Sequence, residues 1–125
     1  MPSSLTIHPG RYAVCRLAPS APVPAWARGA FVAVTRTPAE LSIVCPEAPV
    51  PDGIRAERGW RLMAVDGPLD FALTGILAAI TRPLAQASIP VFALSTFDTD
   101  YLLVREADLG AAVEVLRAAG HTMTG

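Results

Sequence analysis

Proline placement constrains this chain more than any other feature. Nine of its twelve prolines fall before residue 59. Each removes a backbone N–H, so it ends or kinks a helix and is excluded from a central strand. Two runs, residues 19–24 (PSAPVP) and 46–53 (PEAPVPDG), therefore read as connectors. Short strands fit the segments around them. Residues 11–17 (RYAVCRL) alternate, with Tyr12, Val14 and Arg16 on one face and Ala13, Cys15 and Leu17 on the other. Residues 31–35 (FVAVT) and 41–45 (LSIVC) flank a five-residue turn segment and predict an antiparallel hairpin.

Beyond the second connector the pattern changes period. Residues 60–65 (WRLMAV) predict a strand ended by Gly67-Pro68. Leu73, Ile76, Leu77, Ile80, Leu84 and Ala87 then recur at three- and four-residue spacing, which predicts a helix over 72–87 that Pro83 kinks or divides. Strands follow at 89–95 and 100–105. A second helix starts at Glu106 or Asp108, with Gly120 at its C-terminal cap and a last edge strand at 121–123. The order β-α-β-β-α-β over 60–123 is α+β and ferredoxin-like, with both helices on one face of an antiparallel sheet. The expected division is a smaller strand-rich unit, 1–58, and a complete one, 59–125.

Composition narrows the function. With 52% hydrophobic and 17% charged residues the chain has ample apolar surface to fold. All ten basic residues are Arg and the net charge is -1, so a nucleic-acid footprint is missing, and 6% aromatic content argues against an RNA-stacking sheet. Without Lys, neither a P-loop nor a Schiff-base mechanism is available. The densest apolar stretch, 71–91, is broken by Arg82 and Pro83 among others, so no membrane span is expected. The opening MPSSLTIHPGR lacks the pattern of a secretory signal, and a cytoplasmic protein is expected. Cys15 and Cys45 then read as reduced, buried thiols. His8 and His121 have no partner at metal or triad spacing and read as solvated or edge residues. Trp26 suits an interface or a core equally.

The corner running from Asp70-Phe71 through Thr74-Gly75-Ile76-Leu77-Ala78 resembles the strand-to-helix corner of ACT domains. The run Ser95-Thr96-Phe97-Asp98-Thr99-Asp100-Tyr101-Leu102-Leu103-Val104, with Pro83-Leu84-Ala85 and Ile89-Pro90-Val91, is similar to tandem ACT proteins related to the cytosolic arginine sensors of the TOR pathway. Residues 31–40 (FVAVTRTPAE) resemble the first, divergent ACT-like unit of that group. The resemblance implies a divergent N-terminal ACT-like unit at 1–58 and a complete ACT domain at 59–125. It further implies a regulatory sensor and no enzyme, with an amino acid held between two ACT units. The ligand would contact the first-helix corner of one unit and the strand-loop-strand segment of the other.

The residues allow that reading on their own terms. Free N–H groups at about 73–76, at the start of the first helix, attract a carboxylate, and Gly75 permits close approach. The plainer alternative is that Gly75 serves helix packing and Asp70 caps the helix. Asp98 and Asp100 can bind an ammonium or guanidinium, hold a divalent cation, or simply build a turn. The family's acidic contact near the corner is replaced by Leu73, which opens the site to an apolar or smaller side chain. The expected ligand-binding set is Asp70, Leu73, Thr74, Gly75, Ile76, Pro90, Val91, Thr96, Phe97, Asp98 and Asp100, with no metal, cofactor or catalytic residue. Expected partners are the amino acid, a second copy of the chain in a homodimer and a regulatory protein, with neither nucleic acid nor membrane. The alternative function is an ACT-fold protein-interaction module without a small-molecule site.

Overall fold

The computed structural model describes residues 2–125, in two compact units. One joins residues 2–9 to Arg61–Gly125, and the other is Gly10–Trp60. In chain order the strands and helices are β1 (Ser4–Ile7), β2 (Tyr12–Leu17), β3 (Ala33–Arg36), β4 (Leu41–Pro46), β5 (Ala56–Val65), α1 (Ile76–Gln86), β6 (Phe92–Ser95), β7 (Asp100–Arg105), α2 (Leu109–Ala118) and β8 (Thr122–Thr124). A single 3-10 turn, Glu106–Asp108, leads into α2.

The unit containing Arg61–Gly125 follows the expected order β5-α1-β6-β7-α2-β8, the ferredoxin-like α+β arrangement. Its sheet runs β6-β7-β5-β1-β8. The strand β1 was not anticipated. It inserts between the first and last strands of the motif, antiparallel to β5 (Leu5 opposite Val65) and parallel to β8 (Leu5 opposite Met123). Residues 2–9 therefore belong with the later unit, not with 10–58 as the proline connectors suggested. Both helices join one core with the sheet: Ile80 and Leu84 from α1 and Ala112 and Leu116 from α2 meet Leu5, Met63, Val65, Leu102, Val104 and Met123. Leucines and isoleucines buried this completely each contribute about 2 kcal/mol.

Element boundaries moved for local reasons. The first helix starts at Ile76 and not at 72, because Asp70 closes a turn of its own and Gly75 is left-handed (φ 78). Proline does not divide it. Pro83 sits inside an unbroken α1, and the carbonyl it leaves without a helical donor, that of Ala79, is 3.1 Å from Nε2 of His121. Nδ1 of the same ring accepts the Ser3 N–H at 3.0 Å. With Nδ1 accepting, Nε2 carries the proton and donates to Ala79. His121 is thus buried, 5% exposed, and not solvated as its sequence setting suggested. The strand expected from residue 89 starts at Phe92, because the Ile89 N–H closes the end of α1 on Leu84 O (2.9 Å) and Pro90 has no N–H to give.

Gly10–Trp60 contains strands and no helix. The expected hairpin is β3 on β4, and β4 pairs with β2 over six positions. The first part of β5 completes this unit, pairing with β2 through an irregularity between Tyr12 and Val14. There the Gly59 N–H bonds to Oε1 of Glu47 (2.7 Å). The core holds Ala13, Cys15, Leu41, Ile43, Cys45 and Val50, and Trp26 packs against it, which favours the core reading of that residue.

Cys15 and Cys45 are free and buried. Burial pushes the Cys45 thiol up to about 12, helped by Cys15 beside it, and burial also raises the Cys15 thiol. Two results are expected. Neither thiol reacts with Ellman's reagent in the native protein at pH 8, and both react in urea. The raised thiols bind protons more tightly folded than unfolded. Their contribution is therefore whole below about pH 9 and fades as pH rises toward about 12. Urea midpoints between pH 8 and 11 should fall less in a Cys15→Ala/Cys45→Ala variant.

Candidate functional site

Two segments of the Arg61–Gly125 unit converge beside the start of α1. One is the exposed loop from Asp66 to Gly75, the other the turn between β6 and β7. In the first, Oδ1 of Asp70 accepts the Ala72 N–H (2.8 Å) and Asp70 O accepts the Leu73 N–H (3.0 Å). Asp70 therefore closes its own turn and does not cap α1. The helix start has no side-chain cap and no acidic residue in its first turn, and the Ala79 N–H makes the bond to Gly75 O. The N–H groups of Ile76, Leu77 and Ala78, one turn later than expected, are the ones with no acceptor inside the helix. A Cβ at Gly75 would meet nothing within 4 Å, so the glycine serves its positive φ and not helix packing.

The turn is built by threonines. Thr96 N–H and Oγ1 both donate to Thr99 O (2.8 and 3.1 Å), and Thr99 N–H returns to Thr96 Oγ1 (3.3 Å). Two bonds fasten the turn: Thr99 Oγ1 donates to Val65 O at the end of β5 (2.5 Å), and the Leu69 N–H of the loop donates to Asp98 O (2.7 Å). Asp100 accepts the Ser95 hydroxyl on Oδ1 at 2.5 Å, across the last rung of the β6–β7 ladder. Turn chemistry is thus the work of Thr96 and Thr99, and the Asp98 side chain takes no part in that network. Among the described residues no group of three or more His, Cys, Asp or Glu side chains could hold a metal ion.

Between the segments lies a pocket of about 310 Å³, at the small end of the volumes that bind small molecules. Eight of the eleven expected residues line it: Asp70, Leu73, Gly75, Ile76, Thr96, Phe97, Asp98 and Asp100. Thr74, Pro90 and Val91 do not. Thr74 is exposed in the loop. Pro90 and Val91 precede β6, whose far end carries the site about 13 Å away by strand rise, and Val91 packs on the core instead. Five lining residues were not anticipated: Leu69, Phe71, Leu77, Ser95 and Thr99. A signal existed for two of them. The turn 96–99 makes Ser95 the partner of Asp100, and Phe71 directly follows Asp70 in the corner singled out from the sequence. Phe71 and Phe97 are 75% and 79% exposed and meet edge to face, with ring centroids 4.9 Å apart.

A family model described as ACT domain matches residues 55–118, just over half of the chain. The chain belongs to the ACT domain family. A second model, of an N-terminal domain, matches residues 10–53. Curated relatives of the chain are named cytosolic arginine sensor for mTORC1 subunit 1. The human and bovine proteins are each 44% identical over 59 residues, covering 46% of this chain but only 18% of theirs. The chain thus spans about a fifth of the length of those relatives. A crystallised Agobacterium tumefaciens protein is similar throughout, with TM-score 0.93, 42% identity, and coverage of 98% of this chain and 92% of that one. The aspartokinase alpha and beta subunits share the fold at TM-score 0.65 and 15% identity, over 96% of this chain and 99% of theirs. Among the described residues of this ACT protein no helix is long and apolar enough to cross a membrane.

Proposed function

We propose that this ACT protein is a cytoplasmic amino-acid sensor, regulatory and not catalytic, whose ligand occupies the pocket between the α1 corner and the β6–β7 turn. The observation that carries this reading is the meeting, around one pocket of amino-acid size, of an uncapped helix start and an acidic turn. The helix N–H groups suit the ligand carboxylate and Asp98 its ammonium. The similarity to proteins named arginine sensors supports the assignment to ligand sensing. A regulatory role is supported by the residues otherwise available for chemistry. Both ring nitrogens of His121 serve backbone groups, and both thiols are buried. The exposure of Phe71, Leu73 and Phe97 at the rim supports closure of the pocket by an ACT unit of a second copy, in a homodimer.

A thermal-shift screen of the twenty common amino acids at millimolar concentration tests the reading. Ligand at about a hundred times its Kd stabilises by about 2.7 kcal/mol, which raises the Tm of a domain this size by several degrees. At least one amino acid should do this, and Asp98→Asn should abolish the shift without altering the Tm of the free protein. If none does, while a protein partner is lost on substituting Phe97, the exposed rim belongs to an interaction module instead.

A further inference from the structure

We infer that residues 70–74 form a flap beside the pocket, clasped by Phe71 on Phe97, which opens in the free protein and is pinned when the pocket fills. The pinning rests on the amino-acid reading above; the flap itself does not. All five residues are exposed. Among the described residues their hydrogen bonds stay within the segment, from the Ala72 and Leu73 N–H groups to Asp70. Both flanks are anchored. Before the flap, the Leu69 N–H donates to Asp98 O (2.7 Å) and the Leu69 side chain packs on the core. After it, Gly75 O accepts the Ala79 N–H (2.9 Å), the first bond of α1. Gly75 holds φ 78 with nothing within 4 Å of a Cβ there, so the chain has room to turn at that end.

One contact ties the flap down. The Phe71 and Phe97 rings meet edge to face at 4.9 Å, both largely in water. An exposed aromatic pair of this kind shifts an open–closed equilibrium only about two- to ten-fold. The flap therefore parts from the turn at little cost, while the turn, fastened through Thr99 Oγ1 and Asp98 O, stays in place. Phe71 and Leu73 line the pocket from the flap, and Phe97 and Asp98 line it from the turn. A molecule touching both sides adds the contacts that the clasp lacks, so closure depends on occupancy.

Limited proteolysis of the full chain with chymotrypsin, the cuts located by mass spectrometry, tests this. Phe71 and Phe97 are similarly exposed (75% and 79%), so exposure alone predicts similar cutting. Cleavage after Phe71 or Leu73 should instead outrun cleavage after Phe97 by about ten-fold or more, because only the flap opens locally. Equal rates would overturn the flap. Phe97→Ala should speed the flap cuts about two- to ten-fold at an unchanged Tm. Should the Tm fall, Phe97→Leu, which keeps the apolar bulk and loses the ring pair, takes its place. No acceleration would overturn the clasp. A mixture of the twenty common amino acids at millimolar concentration should slow the flap cuts about ten-fold in the wild type. It should not do so in Asp98→Asn, which controls for inhibition of the protease. An amino acid that raises the Tm without protecting the flap would overturn the pinning and leave the sensor reading standing. Flap cuts that respond to Phe97→Ala, while no amino acid protects or raises the Tm, would overturn the sensor reading and the pinning with it, and leave the flap.

Discussion

Replacing His121 with alanine should cost about 2–3 kcal/mol of unfolding free energy, a large loss for a residue with no role in binding. The imidazole joins two part-buried backbone groups, the Ser3 N–H and the Ala79 C=O. Each buried polar group left unpaired costs about 1–3 kcal/mol. Chemical denaturation measures the sum, and a double-mutant cycle measures its origin. Pro83 is the residue four positions after Ala79, and its missing N–H is the reason that carbonyl needs an outside donor. Pro83→Ala restores the donor. In the His121→Ala background it should therefore recover about 1 kcal/mol more than it changes in the wild type. Additive effects would show that the loss at His121 does not come from its bond to the Ala79 carbonyl.

The second large effect is expected at Gly67. A Cβ there would lie 3.1 Å from Leu69 N, 3.1 Å from Thr99 Cβ and 3.2 Å from Asp98 O, so both sides of the junction beneath the pocket would have to give. Two of these atoms are backbone, and one of them, Asp98 O, accepts the Leu69 N–H at 2.7 Å. Gly67→Ala should cost about 1–3 kcal/mol by overpacking. It should also move the Asp98–Phe97 turn away from the Asp66–Gly75 loop, weakening amino-acid binding by more than ten-fold. Titration calorimetry beside thermal melts separates the two outcomes. Binding unchanged at reduced stability would mean that the turn holds its place without the loop.

Most of the fold was legible because its signals are local. The spacing of Ile76, Ile80 and Leu84, the run 100–105 and Gly120 at the end of α2 each state their element within a few residues. The residues around the pocket were picked out through the resemblance to ACT domains, since Gly75 and the Thr96–Thr99 turn by themselves declare only bends that need particular residue types. What escaped depends on distant partners. The four residues of β1 alternate as a strand does but are too few between Pro2 and Pro9 to declare one, and they become a strand because β5 and β8 flank them. His121 looked idle because its partners are 118 and 42 positions away. The shift of the α1 start from 72 to 76 followed from periodicity alone: Leu73 is in phase with the helix but sits in the loop, where it faces the pocket.

The place of β1 also bears on how this protein can be taken apart. The span matched by the family model, 55–118, omits both β1 and β8. A fragment cut to that span would lose the strand bonded to β5 and the strand beyond it, and would present a raw, apolar sheet edge around Met63 and Val65. Fusing the ACT-fold unit to another protein therefore requires residues 2–9 as well as 61–125, or a circular permutation that brings residues 2–9 behind Gly125. The same closure, made between residues more than a hundred positions apart, makes assembly of this sheet a slow, late event in folding.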